Sequence, residues 1–306
     1  MTSVAQSRVL SSPRGSKGTR DASITWMTFP AFGLFLAFGI IPVLGVLALS
    51  FTTWDGIGAI VPSGLDSWVD VLTDPALPNS ILVTFEIMVF GWLAQTPLAI
   101  LLGTFMAGNQ RYREVFAVLY FVPLLLSAAA VAITFKALLD PNFGLGPALG
   151  LDFLSQDWLG QPVLALITVI AIGSWQYIPF HALIYQGGVR QIPVSMYEAA
   201  TLDGAGRVRQ FFYITLPQLK YTIITSSTLM IIGGLTSFDL IFVLTAGGPG
   251  DATETLALAM YQQGFKANLM GPASAIAVIL VLVGLGIALL LQRLGGKSGE
   301  SQLEGA

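Results

Sequence analysis

Six stretches of this chain, at about residues 26–50, 81–107, 115–138, 162–187, 221–244 and 272–292, are apolar over at least the ~20 residues that a helix needs to cross a bilayer. No other feature limits the fold as strongly. A chain with this many such runs takes the bilayer as its solvent. The charge supply agrees, because only 10% of its 306 residues are charged, against about 25% in a soluble domain. The expected fold class is all-α, a polytopic membrane protein with six transmembrane helices in a domain over 26–293.

Side-chain chemistry removes several functions. The chain has no cysteine and a single histidine, which excludes disulfides, thiolate zinc sites, Cys nucleophiles and His-cluster metal sites. Residues 1–25 hold Arg8, Arg14, Lys17 and Arg20 among Ser and Gly, with no apolar centre. They read as a cytoplasmic tail and not as a cleavable signal. Residues 294–306 read as a second such tail. With the N-terminus inside, twelve of the 14 Lys and Arg fall on the inner side, and only Lys136 and Lys266 on the outer. The positive-inside rule then places both termini in the cytoplasm and the chain in the cell membrane as a multi-pass protein. Trp26, Trp158 and Trp175 are expected as interfacial anchors at or near span ends. Pro42, Pro97, Pro123 and Pro179 each remove a backbone donor within a span and predict kinks. Gly233 and Gly234 permit close helix approach. No internal repeat stands out, which speaks against an inverted-repeat carrier.

Between the fourth and fifth spans lies a stretch, 188–220, that is too polar to cross. Pro193 followed by Ser195 predicts a helix start. Met196, Tyr197, Ala199, Ala200 and Leu202 give an apolar face broken by Glu198 and Asp203. Gly204 and Gly206 allow a turn. Arg207 to Ile214 reads as a second short helix, closed by Pro217. A loop this apolar on one side wants a partner surface. Its spacing is Glu198-Ala199-Ala200, three residues, Gly204, nine residues, then Ile214-x-Leu216-Pro217. That resembles the EAA signature of bacterial ABC importer permeases at every defining position. The resemblance implies the type I importer fold, and a loop that docks into a cleft of a cytoplasmic ATPase subunit. Pro193, Glu198, Ala199, Ala200, Asp203, Gly204, Ile214, Leu216 and Pro217 would form the coupling element, with Glu198 the main polar contact.

Two further stretches, "FVPLLLSAAAVAITFKALLDPNFG" (121–144) and "FDLIFVLTAGGPGDATETLALAMYQQGF" (238–265), resemble carbohydrate importers of the maltose and oligosaccharide type, and within them the first of two permease subunits. The implied partners are a second homologous permease, two cytoplasmic ATPase subunits, an extracellular solute-binding protein, the sugar and the lipid bilayer, with no nucleic acid. No cofactor is expected on this chain; ATP and Mg would bind the ATPases. The one phosphate-loop-like fragment, Gly296-Lys297-Ser298, has Leu291 where that motif needs glycine. The chain is therefore expected not to be an enzyme.

A sugar site needs hydroxyl partners and aromatic faces. The fourth span carries "GSWQYIPFHAL", with Trp175, Gln176, Tyr177, Phe180 and His181. By motif position the resemblance assigns sugar contacts to Tyr120, Gln176, Tyr177, Phe180 and Gly234, with Ser237, Thr236 and Asp239 as nearby polar candidates. Gly234 stands where the relative has a polar side chain. Other readings are a permease of the same superfamily for a polyol or glycerol phosphate, and a secondary carrier or channel, which leaves the loop unexplained. A membrane-embedded hydrolase would need a conjoined Ser/His or His/Asp constellation, and one histidine with no cysteine leaves little to build it from.

Overall fold

The computed structural model describes residues 20–108 and 111–295. Of the two expected tails, residues 1–19 and 296–306 lie outside the described residues, and with them Arg8, Arg14, Lys17 and the Gly296-Lys297-Ser298 fragment. The chain divides after Ala48 into two units. The first, as described, is helical: α1 (Arg20–Phe35), a π-helical turn over Leu36–Ile40, and α2 (Ile41–Leu49), which ends at the unit boundary. Pro42 lacks the N–H that would continue the ladder, and the wider π turn just before it takes up the mismatch. Phe29, Phe32 and Phe38 are exposed, as suits a helix whose solvent is lipid.

The second unit opens with a two-stranded antiparallel ribbon, β1 (Thr52–Thr53) against β2 (Val61–Pro62), and then α3 (Asp66–Thr73). Two long helices follow its plan: α4 (Leu77–Met106, 30 residues) and α8 (Pro162–Arg190, 29 residues), each with a proline in its first turn, where the missing donor costs nothing. Between them the third apolar stretch is broken. Helix α5 (Arg111–Leu125) and helix α6 (Ala128–Leu138) meet at 93°. Pro123 weakens the last turn of α5. Ser127 is extended, and its Oγ accepts from Ala130 N at 3.2 Å to start α6 afresh. The kink expected at Pro123 is thus a full break three residues later. Short α7 (Leu145–Leu149) leads on to α8.

Next come α9 (Val194–Leu202), α10 (Arg207–Gln210), a π turn over Phe211–Thr215 and α11 (Leu216–Gln218). Pro217 does not close a helix as the sequence suggests. It sits in the first turn of α11, and the chain runs on into α12 (Lys220–Leu235). Helices α13 (Asp239–Leu244), α14 (Leu256–Tyr261) and α15 (Met270–Gly295) complete the order. Among the described residues, five helical segments are long and apolar enough to span, and six if the bent pair counts as one. The protein is an all-α polytopic membrane protein.

Packing centres on α4 against α8. Ala99, Ile100, Met106, Ile178, Ala182, Tyr185 and Leu219 form one buried cluster. Val83, Ile87, Val131, Val169, Ile172, Ile241 and Leu244 form another, which ties α6 and α13 to the pair. The last carbonyls of α4 are capped from outside the helix: Gln186 Nε2 donates to Met106 O at 2.9 Å, and Arg113 Nη1 donates to Phe105 O. Trp175, expected near a span end, lies midway along α8 and meets Phe135 of α6 edge-on at 5.3 Å.

The loop after α13 is knit to itself and to the start of α4. Thr253 and Thr255 are fully buried. Thr245 Oγ1 and Thr253 Oγ1 lie 2.7 Å apart, Asn79 Nδ2 donates to Asp251 O at 2.8 Å, and Leu256 N donates to Thr84 Oγ1 at 2.9 Å. Burial, and the charge of Asp251 beside it, push the Glu254 carboxyl above the ordinary range, against a hydrogen bond from Ser80.

Candidate functional site

Two regions gather the residues that the sequence singled out. The first is the loop between α8 and α12. Helix α9 starts after Pro193, as its local chemistry requires, and ends in a paired turn. Gly204 N donates to Thr201 O at 3.0 Å, and Ala205 N donates to Ala200 O at 2.8 Å. Gly204 takes φ +76°, a conformation that a side chain opposes. The hairpin is cross-braced by Thr201, Gln210 and Thr215, which the sequence does not single out, and by the hydroxyl of Tyr197, a residue expected only on the apolar face. Tyr197 OH and Thr215 Oγ1 lie 2.9 Å apart, and Gln210 Nε2 donates both to Thr201 Oγ1 and to Ala205 O.

Against this braced frame the outward side chains are conspicuous. Glu198, Ala199, Asp203, Gly204 and Pro217 are exposed; Ala200, Ile214 and Leu216 are half-buried. Leu202 is 89%, Tyr213 77% and Val208 72% exposed. The loop therefore presents an ordered surface, carboxylates among apolar side chains, with no cover from the other described residues of the second unit.

The second region is a cavity of about 460 Å³ between α4, α8, α12 and the α5–α6 break. Its wall contains Tyr177, Phe180, Gly234 and Ser237, and also His181, Thr236 and Asp239. Tyr120 and Gln176 do not line it. Tyr120 packs with the α4–α8 cluster. Gln176, 2% exposed, donates from Nε2 to Leu126 O at 3.0 Å. Of the paired glycines, Gly234 is the close approach, since a Cβ there would lie 3.0 Å from Met88 Cα, whereas a Cβ on Gly233 would meet open space.

The sequence reading missed the α4 side of this cavity: Met88, Trp92 and Gln95. The signal was available for Trp92, because a tryptophan in the middle of a span is out of place for an interfacial anchor. Its indole is fixed by Nε1 donating to Ser227 Oγ at 2.8 Å. The adjacent Ser226 lies 3.0 Å from His181 Nδ1. Two consecutive serines of α12 thus pin an aromatic of α4 and an imidazole of α8. Ser174 lines the cavity too, and its buried hydroxyl finds no partner among the described residues. A buried hydroxyl so placed is a ready partner for a ligand hydroxyl.

The charge balance of the wall is simple. Among the described residues it contains one carboxylate, Asp239, one imidazole, and neither lysine nor arginine. Trp92, Tyr177, Phe180 and Phe238 supply aromatic surface. Such a cavity can hold a neutral, hydroxyl-rich molecule with both polar and apolar faces. An anion would enter it without a counter-charge.

Comparison with known proteins gives the family and the fold. A family model described as "Binding-protein-dependent transport system inner membrane component" matches residues 95–297. The chain is 34% identical to the probable ABC transporter permease protein YurN of Bacillus subtilis, covering 84% of this chain and 90% of that one. It is 32% identical to the multiple sugar-binding transport system permease protein MsmF of Streptococcus mutans, over 79% of this chain and 84% of the relative. Among solved structures, a bacterial ABC transporter involved in the import of the acidic polysaccharide alginate has a chain that superposes with a TM-score of 0.78 at 23% identity, over 92% of this chain and 97% of that one. This last likeness shows the shared importer permease fold.

Proposed function

The chain belongs to the family of binding-protein-dependent transport system inner membrane components, and from that premise we propose that it is the permease of an ATP-driven importer that passes a neutral di- or oligosaccharide into the cytoplasm. The observation that carries the substrate class is the cavity wall, with aromatic faces, free hydroxyl chemistry and no cationic side chain. Relatives named for sugars support it. The chain takes the place of the first of two permease subunits. Its partners are a second permease, two ATPase subunits that bind ATP and Mg, and an external binding protein.

Transport follows from coupling the two regions. Closure of the ATPase pair pulls on the braced loop through Glu198, Ala199, Ala200 and the turn at Gly204. Ile214, Leu216 and Pro217 lie on the segment that joins that loop directly to α12, and α12 forms one wall of the cavity. Movement of the loop therefore moves the wall. Tyr177 and Phe180 offer ring faces to a sugar; Ser237, next to Gly234 in the wall, offers a hydroxyl.

The test is reconstitution of the complete transporter in vesicles. Neutral di- or oligosaccharides are expected to accumulate only with ATP and the binding protein. Uptake of glycerol phosphate in their place would replace this reading with the other member of the superfamily, and its anionic group makes that the poorer fit to the wall. Topology supplies a separate check. A reporter fused after residue 300 is expected to behave as cytoplasmic, and one inserted near Asp66 as external. An external C-terminus would overturn the orientation, and with it the placement of the loop at the ATPase.

A further inference from the structure

Gln176 stands within the motif that suggests direct sugar contact, yet its side chain is turned away from the cavity. It is 2% exposed, on the same helix as Tyr177 and Phe180, and absent from the wall that those two line. Its amide reaches the Leu126 carbonyl at 3.0 Å, across 50 residues of sequence. That carbonyl belongs to the break between α5 and α6, where the helix ladder stops and Ser127 turns extended. Carbonyls at such an end need a partner from outside the helix. The Oε1 of Gln176 finds none among the described residues, so the side chain's one bond is this one.

The break matters to the cavity. Leu124, just before it, and Ala128, just after it, both line the wall. Their position depends on where the 93° bend sits relative to α8. We propose that Gln176 is a positioning residue: its amide latches the broken third span to α8, and so holds the part of the cavity wall formed by Leu124 and Ala128. It shapes the sugar path from behind and does not touch the sugar. The transport consequence rests on the cavity being that path; the latch itself does not.

The absence of cysteine makes the latch measurable. Spin labels at Val118→Cys on α5 and Ile133→Cys on α6, both exposed positions, report the distance across the bend in the assembled transporter. Gln176→Met keeps the length and removes the donor. It is expected to lengthen and broaden that distance, and to lower uptake of every accepted sugar by the same factor, about tenfold for one buried hydrogen bond. Gln176→Glu donates only when protonated, and burial favours the protonated form, so it is expected to keep the wild-type distance in neutral buffer and to lose it reversibly in alkaline buffer. That comparison within one variant stands even if Gln176→Met fails to assemble. An unchanged distance in both variants, or a changed order of preference among sugars with the bend intact, would overturn the latch. If the wild-type transporter moved no sugar, the proposed substrate would fall, and the label distances would still decide for or against the latch.

Discussion

Glu198→Lys is expected to leave the helices inserted and the complex without working coupling. The spans are held by apolar transfer and by backbone satisfaction within the bilayer, and Glu198 is an exposed side chain of α9. Reversing its charge at an interface removes one contact and adds a repulsion, at a cost of about 2–5 kcal/mol. At ~1.4 kcal/mol per tenfold change, ATPase docking or stimulated hydrolysis weakens by roughly one to three orders of magnitude. Gly204→Val tests the same loop through its backbone, because a β-branched side chain cannot easily hold φ +76°. The measurements are co-purification of the ATPase and hydrolysis stimulated by the binding protein. Normal values for both variants would remove the loop from the coupling path.

The second large effect lies in the packing of α4 on α8. A Cβ added to Gly103 would come within 2.6 Å of the Ala182 carbonyl oxygen and 2.7 Å of Tyr185 Cβ. The first of these is backbone and cannot rotate aside. Gly103→Val therefore forces the two longest helices apart, and overpacking of this kind costs about 1–3 kcal/mol or more. Gly187→Ala on α8 is the control, since a Cβ there meets nothing within 4 Å and alanine favours helix. Expected is a marked fall in the detergent melting temperature for Gly103→Val and none for Gly187→Ala. Equal melting of the two proteins would show that the helix pair tolerates separation.

Much of the architecture was legible in the sequence because lipid imposes a local rule. A run of apolar residues declares a span whatever its neighbours do. The loop was legible for a similar reason: Pro193 and Gly204 specify their backbone without help from distant parts. What escaped was non-local. The 93° break lies in a stretch apolar throughout, so hydropathy passes over it; Pro123 marked a weakness without fixing where the chain would part. Trp92 entered the cavity wall through a hydrogen bond to Ser227, 135 residues away. Gln176 was noticed for its type and neighbourhood, but the direction it faces depends on a carbonyl from another span. Pro217 looks like a stop in sequence, though a proline in a first turn is permitted, and the π turn before it delivers the chain in that register.

The broken third span also makes lipid a variable in the mechanism. At ~1.5 Å per residue, the 15 residues of α5 extend over only about 22 Å, against a hydrocarbon thickness of about 30 Å. A limb that short does not match the hydrocarbon layer by itself, so the crossing depends on α6 and on the surrounding lipid. Any remaining mismatch is expected to be met by thinning of the adjoining leaflet or by tilt of the limb, at fractions of a kcal/mol per Å. Leu124 at the end of this limb is part of the cavity wall. Acyl-chain length is therefore expected to act on the geometry of the cavity, so that membranes of different thickness become different reaction conditions for the same protein.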